Sequence, residues 1–187
     1  VSDGGSGAST RTSPVVGGSG SSVDLDGNAE LTVTPRINLG IGDWCVEYWV
    51  YPTDHSPFGR SHDIGDFHVN DGGSWQITRG ANGLKNVRFY FLREQSGTDF
   101  MIESSTEVNE DAWNHVAVSR EGDTCRVFLD GVLEATGTLP ANSDFTSEGD
   151  WEGFDISRGG SDAYYDLIRV TTGAARYTAA FTPPTTF

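Results

Sequence analysis

The sequence is short of positive charge. Only 12 lysine and arginine residues stand against 27 aspartate and glutamate residues, so the 187-residue chain has a formal net charge of −15. A surface this acidic repels phosphate backbones and anionic lipid headgroups, and no basic stripe with interleaved aromatic residues overrides that repulsion. The charge therefore excludes nucleic acid and anionic membranes as partners.

Long apolar runs and helical periodicity are also absent. No stretch approaches the roughly 20 consecutive apolar residues that a membrane-spanning helix needs. No window of useful length repeats its apolar residues every three to four positions, as an amphipathic helix does. These two absences exclude membrane insertion and a mainly helical fold.

Cysteine is scarce as well. The two cysteines, Cys45 and Cys125, both lie in strand-like runs, and two are too few to indicate a disulfide scaffold. The sequence allows either a disulfide bridge or a pair of buried free thiols. We favour free thiols, because unpaired cysteines on apolar faces are common in protein cores.

The residues that are present in quantity indicate β-strands. From Val23 onward, short apolar runs of period two alternate with turn-forming Gly, Asp, Asn and Pro. The run from Trp44 to Tyr51 carries large residues on both faces, which indicates a central strand. Gly122-Asp123 and Asp130-Gly131 predict the turns of a three-stranded meander over residues 113–137.

The first 22 residues differ in composition from the rest. Residues 1–22 are mostly Gly, Ser, Thr and other small residues, which predict a Gly/Ser-rich N-terminal arm or linker that leads away from the fold. Residues 23–187 contain enough apolar and aromatic material for one core, so we predict a single β-sandwich domain there.

Three stretches carry a family resemblance. They are a Glu-aromatic-Trp-Val strand at 47–50, the meander from Trp113 to Val132, and the segment from Tyr165 to Pro184. In order and spacing they resemble the laminin G-like, concanavalin A-like family. The resemblance implies an all-β, two-sheet antiparallel jelly-roll sandwich that binds glycans or proteins, often through loops at one rim, where some members hold calcium.

The end of the third stretch is the most informative part. Its Ala-Arg-Tyr-Thr and Phe-Thr-Pro-Pro segments, at 175–178 and 181–184, are similar to the version of this module common in phage virion proteins. That resemblance implies a tail fibre, adhesin or capsid-decoration protein in the virion or outside the cell. Its implied partners are host surface glycans, other virion proteins, or copies of itself in a symmetric homo-oligomer.

Sugar and calcium are the two ligands that the residues themselves favour. Flat sugar faces stack on exposed rings, although rings in a sheet commonly fill the core instead. Calcium takes six to eight oxygen ligands from loops, although solvated acidic loops look the same in sequence. The sugar-binding candidates are Trp75, Arg79, Trp151 and Tyr164. The calcium candidates are Asp63, Asp66, Asn70 and Asp71, with Asp144, Glu148, Asp150 and Asp155 as a second acidic region.

One pattern points to an enzyme. Glu148-Gly149-Asp150-Trp151-Glu152 matches the Glu-x-Asp-x-Glu spacing by which glycoside hydrolases of this fold direct three carboxylates from one strand face toward a sugar. Here the flanking glycines and turn residues indicate a loop instead of a central strand. We therefore predict a non-catalytic binding module. A purely structural virion component without glycan affinity, and a hydrolase using Glu148, Asp150 and Glu152, remain the alternatives.

Overall fold

The computed structural model describes residues 2–3, 8–18, 20–25, 29–34, 37–53, 61–69, 73–79, 85–92, 98–146, 154–158 and 162–186. These residues form fourteen strands and a short 3-10 turn at Val16–Gly18. A search of them for a helix with the length and apolar character of a transmembrane segment finds none. The strands are β1 (Ser2–Asp3), β2 (Ala8–Arg11), β3 (Ser22–Leu25), β4 (Leu31–Val33), β5 (Trp44–Pro52), β6 (Ser61–Val69), β7 (Gly73–Arg79), β8 (Asn86–Leu92), β9 (Thr98–Glu107), β10 (Asn114–Glu121), β11 (Thr124–Leu129), β12 (Val132–Thr138), β13 (Phe154–Arg158) and β14 (Ala163–Thr172).

The strands pair antiparallel into two seven-stranded sheets. The first sheet has the order β1-β4-β13-β6-β7-β8-β9, and the second has the order β12-β11-β10-β5-β14-β3-β2. Both sheets mix strands that are distant in the sequence, and half of the twelve ladders among the described residues join strands that are not consecutive. The predicted all-β, two-sheet antiparallel jelly-roll sandwich is confirmed.

The core lies between the two sheets. Trp44, Val46, Tyr48 and Val50 alternate along β5 and are all fully buried in the core cluster. At the centre, the Trp44 ring contacts Phe89 and Phe145 at centroid distances of 5.6 and 5.3 Å. The period-two pattern in the sequence groups these residues on one face, and the structure shows that this face points inward while the other points away from the core.

The predicted meander is also confirmed, since β10, β11 and β12 are consecutive neighbours in the second sheet. At the second turn, Asp130 and Gly131 have φ of 50° and 79°, the two positive values that a type I′ turn requires. Glycine at 131 has a second role. A Cβ there would overlap the carbonyl oxygen of Phe181, which packs against the turn.

One side of the sandwich is closed by contacts between the edge strands β9 and β12. The Glu134 carboxylate accepts hydrogen bonds from the backbone amides of Ser105 and Thr106 at 3.1 and 2.9 Å, and from both of their hydroxyls. Gly137 lets the strands approach, because a Cβ there would come within 2.9 Å of the Phe100 ring. Side-chain contacts thus link the two sheets where no backbone ladder does.

After β14, the chain crosses the outer face of the second sheet as an irregular segment, residues 173–186, here called the C-terminal strap. It is fixed at two points along β5: just before the strand, the Gly173 amide donates to the Asp43 carbonyl at 2.7 Å, and in its second half, Trp49 Nε1 donates to the Pro184 carbonyl at 2.8 Å. Between them, the Phe181 amide donates to the Gly131 carbonyl at 2.9 Å. The Ala-Arg-Tyr-Thr and Phe-Thr-Pro-Pro segments of the sequence are therefore parts of a covering segment.

At the N-terminus the structure differs from the sequence-based expectation of an arm that leads away. The segment Ala8–Arg11 pairs with β3 as the edge strand of the second sheet, and Ser2–Asp3 pairs with β4 at the edge of the first. Val16 is buried, and its amide donates to Asp166 Oδ2 at 3.0 Å. An edge ladder uses backbone groups and needs few large side chains, so composition alone does not reveal it.

Cys45 and Cys125 are both buried and unbridged, as the sequence analysis favours. They lie on opposite faces of the second sheet: Cys125 points into the core, whereas Cys45 precedes core-facing Val46 and points outward. A disulfide would have to pass through the sheet.

We expect neither thiol to react with a disulfide reagent in the folded protein. Burial, together with Glu47 nearby, raises the pKa of Cys45 to about 12, and burial likewise raises the pKa of Cys125. Both thiols therefore stay protonated and inaccessible. Titration with Ellman's reagent should show two thiols in denaturant and fewer than one without it. Rapid reaction of the native protein would contradict the burial of the two side chains.

Candidate functional site

Two of the predicted sugar-binding residues, Trp75 and Arg79, lie in the core and not at the surface. Trp75 is fully buried and stacks on Trp44 at a centroid distance of 6.3 Å. Arg79 Nε donates to the Asp63 carboxylate at 2.7 Å, and both side chains are fully buried. The alternation along β7 directs Trp75, Ile77 and Arg79 to the same inward face. Neither Trp75 nor Arg79 can contact a ligand at the surface of this fold.

Asp63 is likewise part of the core, and its surroundings do not fit calcium. Its carboxylate accepts hydrogen bonds from the Tyr48 and Tyr165 hydroxyls, each at 2.8 Å, in addition to the ion pair with Arg79. Burial opposes the charge of Arg79, but the neighbouring Asp63 outweighs it and raises the pKa of Arg79. Burial and Asp63 together raise the pKa of Tyr48. The cluster holds the two sheets together.

The remaining calcium candidates do not converge in the described structure. Asp66 lies in β6 opposite Trp75 in the ladder, and Asp155 is buried on β13, where Thr32 donates to it at 3.0 Å. In the described ranges, no three His, Cys, Asp or Glu side chains group closely enough to hold a metal ion. The following candidates lie outside the described residues: Asn70, Asp71, Glu148, Asp150, Trp151 and Glu152.

A pocket with both polar and apolar lining groups opens at one end of the second sheet, where β5 begins and β10 turns into β11. Its volume is about 370 Å³, within the range of small-ligand sites. We call it the rim pocket. Its lining residues come from three separate loops and from the end of β10, and they are Ile41, Arg120, Asp123, Asn142, Ser143 and Asp144.

Arg120 forms the fixed part of the rim pocket. Its side chain is held by three contacts: Nε donates to the Gly122 carbonyl at 2.8 Å, Nη1 donates to the Ser143 carbonyl at 3.0 Å, and the guanidinium lies 5.4 Å from the centre of the Phe145 ring. Burial lowers the pKa of Arg120, while Asp123, Asp43 and Asp144 oppose that effect. The guanidinium is thus an oriented donor beside three carboxylates.

The mouth of the rim pocket combines polar and apolar groups. Asp123 and Asn142 are exposed, and Ile41 has 71% of its surface exposed, the largest exposure among the large hydrophobic residues described. Asn142 adopts a φ of 62°, a conformation that asparagine tolerates better than most residues. Carboxylate, amide and guanidinium groups around an apolar side chain can bind the hydroxyls and one apolar face of a sugar ring.

Tyr164 is the fourth predicted sugar-binding residue, and it lies far from the rim pocket. It is partly exposed on the outer face of the second sheet, opposite Tyr51 in the β14–β5 ladder, with ring centroids 5.8 Å apart. Tyr51 is at the end of β5 opposite to Trp44. The structure therefore separates Tyr164 from the rim pocket by most of the length of a strand.

Sequence reasoning missed most of the rim pocket. Of its lining residues, only Asp144 is among the acidic candidates, because Ile41, Arg120 and Asn142 show no motif or metal-ligand spacing. The loops that contribute them meet only when β5 pairs with β10. One sequence feature could have pointed to this pocket. It is an isoleucine between two glycines at 40–42, a position where a turn would leave an apolar side chain in solvent.

The two sheets, the meander and the rim pocket together define a lectin-like jelly-roll module. The sequence profile of the concanavalin A-like lectin/glucanases superfamily matches residues 25–174. The chain therefore belongs to this family. Compared by sequence with curated proteins, the chain matches none.

Solved structures show the same fold at low sequence identity. Domain 4 of AbnA, a GH43 extracellular arabinanase from Geobacillus stearothermophilus in complex with arabinotriose, is 16% identical with a TM-score of 0.67, covering 92% of this chain and 78% of that one. The carbohydrate binding module CBM66 from Bacillus subtilis is 15% identical with a TM-score of 0.52, covering 88% and 92%. The CBM40 of a Ruminococcus gnavus sialidase, bound to α2,3-sialyllactose, is 12% identical with a TM-score of 0.60, covering 83% and 91%.

Proposed function

We propose that this chain is a non-catalytic glycan-binding module and that the rim pocket binds the sugar. The observation that carries the proposal is the composition of the pocket: an oriented guanidinium, exposed carboxylate and amide groups, and an exposed isoleucine around about 370 Å³. Such a site can satisfy several hydroxyls at once while one face of the ring covers the isoleucine. The carboxylates favour neutral sugars over acidic ones.

Structures of the same fold support this choice of ligand. Two of them contain an oligosaccharide, arabinotriose in one and α2,3-sialyllactose in the other, and a third is a carbohydrate binding module. These two oligosaccharides are suitable first probes for the present chain. An acidic sugar and a neutral one also test the charge preference inferred above.

Asp123→Asn should weaken binding to neutral glycans about 10- to 100-fold, because a charge-assisted hydrogen bond to a sugar hydroxyl would be replaced by a neutral one. Asn142→Gly should weaken it about 10-fold, since glycine keeps the positive φ while the amide is lost. The measurement is a glycan array that includes arabinotriose and α2,3-sialyllactose, followed by calorimetric titration with the best-retained oligosaccharide.

Glu107→Gln is the matched control, because it removes one exposed carboxylate far from the pocket and should leave affinity unchanged. If Glu107→Gln and Asp123→Asn lose the same affinity for the glycan, the effect is due to net charge. That result would contradict glycan binding in the rim pocket. A wild-type protein that retains no glycan on the array would contradict glycan binding itself. It would favour the alternative of a purely structural component.

We further propose that the module works outside the cell, as the adhesive part of a phage tail fibre or as a capsid decoration. The support is the C-terminal ending, whose Ala-Arg-Tyr-Thr and Phe-Thr-Pro-Pro segments resemble those of phage virion modules. Fluorescently labelled protein should stain bacterial cells that carry the recognised surface glycan, and Asp123→Asn should not. Staining that is identical for both proteins would contradict adhesion through the rim pocket.

A hydrolytic activity is the remaining alternative, and it has a direct assay. Incubation with β-glucans and agars should release no reducing ends from either the wild type or Glu148→Gln. Release by the wild type that disappears in the variant would make the chain a glycoside hydrolase.

A further inference from the structure

Outside the rim pocket, the outer face of the second sheet carries a line of side chains at the far end of β5. Three partly exposed aromatic residues lie side by side there: Trp113, Tyr51 and Tyr164. The Tyr51 ring meets both neighbours edge to face, at centroid distances of 5.6 Å to Trp113 and 5.8 Å to Tyr164. We call these three residues the aromatic row.

Polar residues on the neighbouring strands continue the line of the aromatic row, as the strand register shows. Tyr164 is opposite Asp24 in β3, and Asp24 is opposite Ser9 in β2. Arg11 Nε donates to the Asp24 carboxylate at 2.8 Å, and the Arg11 side chain is 56% exposed. Neighbouring strands lie about 4.8 Å apart, so the line from Ser9 to Trp113 spans about 19 Å across the strands.

The C-terminal strap covers the adjacent part of this face but not the aromatic row. Its contact at this end of the strand is the hydrogen bond from Trp49 Nε1 to the Pro184 carbonyl. Tyr51 lies two residues further along the same face of β5 and keeps part of its surface exposed. The three rings therefore remain partly exposed beside the strap.

We propose that the aromatic row is a second glycan-binding surface, which takes a linear neutral oligosaccharide laid across the strands. The Tyr51 ring lies at 72° to Trp113 and 70° to Tyr164, so ring faces and ring edges alternate along the row. This packing fixes the orientation of the rings, and those whose faces point outward can receive flat sugar faces with little loss of side-chain entropy. The phenol hydroxyls and the Asp24–Arg11 pair are placed to bind sugar hydroxyls along the same line. The net charge of −15 argues against phosphate-bearing occupants.

This inference rests on the proposed function for the class of ligand, but it uses no residue of the rim pocket. A surface that is several sugars long predicts an affinity that rises with chain length, whereas a closed pocket would saturate at one or two sugars. Two sites on one module also predict a stoichiometry of two for short glycans and a higher apparent affinity for polymers.

The experiment uses an array of linear neutral oligosaccharides of two to six sugars, arabinotriose included, with wild type, Tyr51→Ala, Tyr51→Phe and the rim variant Asp123→Asn. Tyr51→Ala should lower affinity for the longer oligosaccharides about 10-fold and, in calorimetric titration with the short ones, reduce the stoichiometry from two to one. Tyr51→Phe keeps the ring and should bind within 2-fold of wild type. The indole N–H resonance of Trp113, assigned with Trp113→Phe, should shift on titration with the longest oligosaccharide, also in Asp123→Asn.

Leu133→Ala is the control, because it removes an exposed apolar side chain of β12, outside the aromatic row. Unchanged binding and stoichiometry in Tyr51→Ala, with loss in Asp123→Asn, would overturn the second surface and leave the proposed function standing. No retention by the wild type would overturn both. Self-association that Tyr51→Ala abolishes, without any effect on glycan retention, would assign the aromatic row to a contact between copies and overturn its glycan role. If Tyr51→Ala melts at a lower temperature, the Trp113 shift in the wild type decides the question.

Discussion

Asp63→Ala should lower the free energy of unfolding by about 3–5 kcal/mol, enough to unfold many domains of this size at physiological temperature. The reason is the charge that remains. Arg79 is fully buried, and an arginine guanidinium keeps its proton in proteins even without a carboxylate partner, so Asp63→Ala leaves an unpaired buried charge. The hydroxyls of Tyr48 and Tyr165 lose their acceptor as well. Chemical denaturation monitored by tryptophan fluorescence measures the change.

Replacing the whole cluster should cost far less than breaking it. A fourfold variant combines Asp63→Leu, Arg79→Met, Tyr48→Phe and Tyr165→Phe. It removes every polar side-chain group of this cluster, so we expect its free energy of unfolding to lie within about 1–2 kcal/mol of the wild type. Arg79 Nη1 supports this expectation, since it has no hydrogen-bond partner within the described structure and is already only partly compensated. A fourfold variant as unstable as Asp63→Ala would contradict the assignment of the penalty to unpaired charge.

An exposed ion pair provides the comparison. Arg126 Nη2 lies 3.0 Å from Glu121, whose side chain is 52% exposed. Because solvent screens this pair, Glu121→Gln should change the free energy of unfolding by less than about 1 kcal/mol. The contrast with Asp63→Ala isolates burial as the cause, since both variants remove one carboxylate charge beside one arginine.

The strands and turns were predictable from the sequence because they depend on residues that are close to one another in the chain. Period two along β5 groups Trp44, Val46, Tyr48 and Val50 on one face, and Asp130-Gly131 specifies a turn by its own backbone preferences. The pairing of Ala8–Arg11 was not predictable, because edge ladders use backbone atoms that every sequence supplies. Trp75 was also not predictable. The alternating pattern places it on one face of a strand but does not say whether that face is buried or exposed.

The candidate sites were less predictable than the fold because they depend on convergence. Arg79 and Asp63 were assigned to different ligands, and only the pairing of β6 with β7 reveals that they neutralise each other. Arg120 lies on a strand and Asn142 in a loop 22 residues later, so their approach is a property of the sheet and not of the spacing. The Glu-aromatic-Trp-Val motif does mark a residue with a structural role. Its glutamate, Glu47, accepts a hydrogen bond from Tyr177 of the C-terminal strap.

Glu47→Gln should release the C-terminal strap from the sheet. The buried Glu47 carboxylate accepts hydrogen bonds from Arg169 and Tyr177 at 2.8 Å and lies 3.2 Å from Arg176 Nε. Without its charge, Arg169 and Arg176 lose a carboxylate partner, but both side chains are partly solvent-exposed, so we expect a loss of about 1–3 kcal/mol with rapid hydrogen exchange over residues 173–186. Exchange measured by mass spectrometry on strap peptides tests this directly.

The same carboxylate makes strap attachment sensitive to acid. Burial opposes ionisation of Glu47, but hydrogen bonds from His115, Arg169 and Tyr177 outweigh it and lower its pKa below the ordinary value of 4.5. A lowered pKa in the folded state gives stability that is fully present above the unfolded pKa and is lost as pH falls through the folded value. The stability difference between the wild type and Glu47→Gln should therefore be constant near neutral pH and shrink below about pH 4.5.

Glu134→Gln separates strap attachment from a general effect of acid. Its pKa is also lowered, because hydrogen bonds from Ser105 and Thr106 outweigh the cost of burial, but it lies where β9 meets β12, away from the strap. Glu134→Gln should leave exchange over residues 173–186 unchanged at neutral pH, whereas Glu47→Gln should accelerate it. A strap that exchanges equally slowly in both variants would mean that the contacts of Trp49 and Phe181 hold it in place without Glu47.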